Sequence, residues 1–94
     1  MKMTEMSKLF LLLADADIPF ETREIFGTMQ ICYPSFDDLI CDAICHQYSY
    51  GYEQGLLEIM GLADPGIGDT VEGYLTADEV FARIKADYEK RQGA

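Results

Sequence analysis

"IPFETREIFGTMQICYP", residues 18 to 34, decides the fold class. Two runs with strand character, near 20 to 26 and 29 to 33, flank Gly27-Thr28, which suits a two-residue turn whose first central position takes glycine. Pro34 closes the second run, because a proline nitrogen has no proton to give a ladder. A tight hairpin this early commits the chain to an antiparallel sheet.

Working outward toward the N-terminus, Thr4 can cap a helix reaching about Ala16, with Leu9, Leu12, Leu13 and Ala16 at three- and four-residue spacing and Phe10 widening the stripe. That helix ends before Pro19. Toward the C-terminus, "SFDD" is turn chemistry, "LICDAIC" (39 to 45) reads as a third strand, and "LLEIM", between Gly55 and Gly61, as a fourth. "ADPGIGD" is a loop and "VEGYL" an extended lead-in to the last helix. Thr76 and Glu79 form a capping box there, Ala77, Val80, Phe81, Ile84 and Tyr88 make an apolar face, and the charges of Asp78, Glu79, Lys90 and Arg91 match the macrodipole. The order is α-β-β-β-β-α, a single α+β domain over 1–94 with a mainly antiparallel four-stranded sheet. The helices can share one face or sandwich the sheet, and the apolar third and fourth strands predict partial cover on both faces.

The longest apolar run, Leu9 to Ala14, is far short of the roughly 20 residues of a membrane-spanning helix, and Glu5 argues against a signal peptide. No membrane contact and a cytoplasmic location are expected. Three cysteines, an odd count, suit free thiols in a reducing compartment. Seventeen Asp and Glu oppose seven Lys and Arg, and no Lys or Arg occurs between Glu24 and Ala82. Direct nucleic-acid binding is disfavoured, because neutralising phosphates needs clustered cations. A basic protein surface is the natural complement.

Cys32, Cys41, Cys45 and His46 invite a metal or catalytic reading. On a strand, Cys41 and Cys45 would stand about 13 Å apart at roughly 3.3 Å per residue, too far to share one zinc ion. His46 would point away from Cys45, so the two could not exchange a proton. Buried structural thiols are expected, with no metal and no cofactor; Cys32, Cys45 and His46 are the residues a small enzyme or metal protein would use. "DPGIGD" lacks the alternating oxygen ligands of a calcium loop, and "GIGDTVEG" lacks the lysine of a phosphate-binding loop.

In "ICHQYSYGYEQG" (44 to 55), Tyr48, Tyr50 and Tyr52 alternate, so an extended chain sets all three rings on one side. Tyrosine gives large contact area at low entropic cost, and nearby carboxylates suit arginine-rich targets. The expected partner-binding set is therefore Asp37, Asp38, Asp42, Tyr48, Tyr50, Tyr52, Glu53, Glu58, Asp64 and Asp69.

At "CDAICHQYSYGYEQGLLEIMGL" and "VEGYLTADEVFARI" the chain resembles small proteins encoded in phages and prophages of Gram-positive bacteria. In size and charge it is similar to anti-CRISPR proteins. With that likeness of general character, the interval free of Lys and Arg leads to the expectation of a non-enzymatic inhibitor that offers carboxylates as phosphate surrogates to a nucleic-acid-binding protein, such as a CRISPR effector nuclease. The alternative is a phage structural or assembly module that forms a homo-oligomer through the tyrosine segment.

Overall fold

A computed structural model describes residues 3–93. The order is α1 (Glu5–Asp15), β1 (Glu21–Ile25), β2 (Thr28–Pro34), β3 (Leu39–Ile44), β4 (Leu57–Met60), β5 (Val71–Leu75) and α2 (Ala77–Gln92). The fold is α+β, with five strands rather than four. They form one antiparallel sheet in sequential order, β1 to β5. The added strand is "VEGYL", which pairs Leu75 with Leu57 and Glu72 with Ile59. Three residue steps on β5 match two on β4, so β5 carries a bulge at Gly73-Tyr74, where Tyr74 has a φ of 60°.

Both helices lie on one face. Met6, Leu9 and Leu13 of α1 and Ala77, Val80 and Ile84 of α2 share one core with the alternate sheet residues Ile31, Tyr33, Cys41, Ala43, Leu57 and Ile59. The partial cover expected on the second face is not provided by any helix or strand among the described residues. That face instead carries a polar relay: Arg23 Nε donates to Gln30 Oε1 (2.6 Å), and Gln30 Nε2 donates to Asp42 Oδ2 (2.7 Å). These side chains bury Gln30 and its neighbour Cys32 without a second layer. No helix is long and apolar enough to cross a membrane.

Local signals account for both helices. Thr4 Oγ1 accepts the Ser7 N–H at 3.0 Å, and the capping box of α2 is complete, with Thr76 N donating to Glu79 Oε1 and Glu79 N to Thr76 Oγ1. Tertiary contacts then fix α2. Glu5 of α1 accepts the Ala77 N–H at 2.7 Å, Tyr33 Oη donates to Asp87 at 2.8 Å, and Arg83 grips both carboxylate oxygens of Glu72 at 2.7 and 3.2 Å.

The β1–β2 turn falls one residue earlier than expected. Ile25 pairs with Thr28, so Phe26 and Gly27 are the central residues, with φ of 50° and 77°. Both are left-handed, the geometry that matches the strand twist. Glycine takes it freely; phenylalanine does not.

Candidate functional site

Antiparallel order puts the Phe26-Gly27 turn, the 45–56 loop, the Tyr74 bulge and the start of both helices at one end of the sheet. The 35–38 turn and the 61–70 loop lie at the other. The seven residues of β2 separate the two ends by roughly 20 Å.

The 45–56 loop is folded back rather than extended. Ser49 Oγ accepts the His46 N–H (2.9 Å) and donates to the His46 carbonyl (2.8 Å), while His46 Nδ1 accepts the Tyr48 N–H (3.1 Å). This bonding uses up Nδ1 as an acceptor, so the neutral ring carries its proton on Nε2. Gly51, at φ 94°, then turns the chain into a single 3-10 turn, Tyr52–Gln54. The expected alternation of Tyr48, Tyr50 and Tyr52 therefore fails, and the rings go to different neighbours. Tyr48 stands edge-on to Phe26 with ring centroids 5.1 Å apart, and Phe26 lies 4.8 Å from the His46 ring.

Tyr50 is held against β5. A Cβ added at Gly73 would fall 2.3 Å from Tyr50 Cβ, so only glycine lets the loop approach this closely. That approach places Tyr74 beside Tyr50 and Tyr52 around a shallow cup of about 490 Å3 that Glu53 also lines. Five rings are exposed around this end: Phe26 63%, Tyr48 70%, Tyr50 63%, Tyr52 45% and Tyr74 57%. Phe26 and Tyr74 are additions to the expected set. Each is a bulky residue in left-handed backbone beside a glycine, and the Phe-Gly and Gly-Tyr pairs were the available signals.

The expected carboxylates divide among three places. Glu53 is exposed at the loop end. Asp42 and Glu58 lie on the uncovered sheet face, where Glu58 Oε1 accepts the Tyr50 N–H and Asp42 Oδ1 accepts the Met60 N–H. Asp37, Asp38, Asp64 and Asp69 occupy the far end. Asp64 accepts the Gly66 N–H and Asp69 those of Thr70 and Val71, which is turn chemistry. The fold thus joins Tyr48, Tyr50, Tyr52, Glu53 and Glu58, and keeps the far-end aspartates apart from them.

None of these seven carboxylates belongs to an ion pair among the described residues. The cations pair elsewhere: Lys8 with Glu5, Arg83 with Glu72, Lys85 with Glu89 and Arg91 with Asp87. Glu24 and Asp78, also exposed toward the loop end, are unpaired as well.

Cys41 points into the helix-side core and Cys32 to the opposite face, while Cys45 borders the loop. Burial pushes the Cys41 thiol up to about 12, and burial also raises Cys32 and Cys45. A raised thiol pKa disfavours the thiolate needed for nucleophilic attack or metal ligation. Among the described residues, no three His, Cys, Asp or Glu side chains gather as a metal site.

Comparison with protein-family models, curated proteins and solved structures finds no match to this chain.

Proposed function

We propose that the protein is a non-enzymatic inhibitor-type binding module that sets its aromatic, acidic loop end against the cationic surface of a nucleic-acid-binding protein. The observation that carries this reading is the exposure of Tyr48, Tyr50, Tyr52, Phe26 and Tyr74 beside carboxylates free of ion pairs, Glu53 and Glu58 among them. Tyrosine faces attract guanidinium and ammonium groups, and the carboxylates complete the recognition through charge-assisted hydrogen bonds. Such a surface competes with nucleic acid because it offers the receptor the charge and stacking that phosphates and bases offer. A CRISPR effector nuclease is one receptor of this chemistry.

The test is affinity capture from a host lysate at low and high salt. Recovery of a nucleic-acid-binding protein at low salt, released by added DNA or RNA, is the expected result. Capture indifferent to salt and to nucleic acid would remove the reading, because exposed charges are screened beyond about 8 Å at physiological ionic strength.

A second reading, self-assembly, rests on the uncovered sheet face, where Met60 is 54% exposed between its cross-strand partners Asp42 and Val71. The sheet edges do not favour it. Glu21, Thr22, Arg23 and Glu24 are all exposed on β1, and β5 is bulged. A concentration-independent monomer in sedimentation would dispose of it.

A further inference from the structure

On the helix side of the same loop, the first turn of α1, the start of β2, Tyr52 and residues 54–56 enclose a groove of about 620 Å3. Its walls are mostly apolar, formed by Met3, Met6, Met29, Cys45, Tyr52 and Leu56, and the one carboxylate in the lining, Glu5, is taken up by the Ala77 N–H and Lys8. Of the remaining lining positions, Thr4, Glu5, Ser7, Thr28, Gln54 and Gly55, the small ones, Ser7, Thr28 and Gly55, leave it open. The volume is that of a binding cleft rather than a packing defect. Met3 is 52% and Met29 37% exposed, and methionine adapts its unbranched, polarisable chain to varied apolar shapes.

The rims decide what such a groove accepts. Glu24 is the cross-strand partner of the wall residue Met29, and Glu53, which lines the adjoining cup, follows the wall residue Tyr52 in the chain. Both carboxylates are exposed and neither joins an ion pair. An apolar groove with two unneutralised carboxylates next to its lining residues complements an apolar side chain borne on a cationic segment. A second copy of this chain, with a net charge of −10, would bring like charge to both rims.

We propose that this groove seats one bulky apolar side chain of a basic peptide segment, with Glu24 and Glu53 receiving the Lys or Arg residues on either side of it. The inference rests on the cationic-partner reading above and adds that recognition requires an apolar anchor.

Two fluorescently labelled Lys/Arg-rich peptides, identical except for a central Phe or Ala, test it by anisotropy at low salt. The Phe peptide should bind roughly 10- to 100-fold more tightly, the ratio expected for burying one large apolar side chain. It should also slow alkylation of Cys45 in the wild-type protein, where Cys32 and Cys41 are each only 1% exposed, while the Ala peptide should not. Filling the groove with Cys45→Trp should reduce the affinity for the Phe peptide to that for the Ala peptide. Equal affinities for the two peptides would overturn the anchor while leaving the acidic-surface reading standing. A Phe preference without protection of Cys45 would overturn the assignment to this groove. Binding of neither peptide would overturn both proposals.

Discussion

Tyr74 combines left-handed backbone with an exposed ring. An L-residue in left-handed backbone carries a local cost of about 1–2 kcal/mol, asparagine tolerates the conformation better, and Tyr74 is 57% exposed at φ 60°. Replacing it with Asn should raise unfolding stability by about 0.5–1 kcal/mol in a denaturant titration while weakening partner binding. An unchanged or lower stability would show that the ring is held for packing rather than contact. Gly73 beside it was visible in the sequence only as a break in "VEGYL". Its close approach to Tyr50 was not, because that contact joins positions 23 residues apart. His46 is a loop acceptor at this scale, its Nδ1 taking the Tyr48 N–H.

Among the elements, α2 was the most legible. Its capping box and its three- and four-residue spacing are local, and local signals survive folding. Ile84 is 1% exposed while Phe81 is only half-buried, so Ile84→Ala should cost about 2–5 kcal/mol and Phe81→Ala distinctly less, read from chemical denaturation midpoints. The Arg83–Glu72 bridge from α2 to β5 was not legible, although both residues were in view. Removing Arg83 by R83A should cost about 1–2 kcal/mol, since it strands a carboxylate that is largely shielded, its side chain only 14% exposed. Hydrogen bonds from Arg83 and the Asp64 N–H hold the Glu72 carboxyl below the ordinary glutamate value of 4.5. A lowered carboxylate pKa contributes stability that is present above the unfolded value and lost as pH falls through the folded one. The acid limb of a stability–pH curve below about pH 4.5 should therefore flatten in E72Q, and an unaltered limb would contradict the bridge.

For the whole molecule, the excess of acids dominates. Seventeen carboxylates against seven cations give a net charge of −10, and four ion pairs among the described residues leave most of that charge unneutralised. Moderate salt should raise the melting temperature by screening this repulsion, and a Tm independent of salt between low and physiological ionic strength would contradict it. The same charge spreads over two ends and one face. Asp37, Asp38, Asp64 and Asp69 contribute to the general field, while Glu53 and Glu58 stand by the tyrosines.

The sequence by itself determined the α+β class, both helices, the first four strands and the sign of the surface charge, because periodicity, capping and composition act within a few residues or not at all on geometry. Only the tertiary structure decided that both helices share one face, that β5 joins the sheet, and that the tyrosine segment folds back onto it. Those outcomes depend on register and on close backbone approach at Gly73, where a side chain would collide with Tyr50, and at Gly51, where it would crowd Tyr74. A linear reading therefore finds Tyr48, Tyr50, Tyr52 and Glu53 but not their gathering with Phe26 and Tyr74 at one end of the sheet.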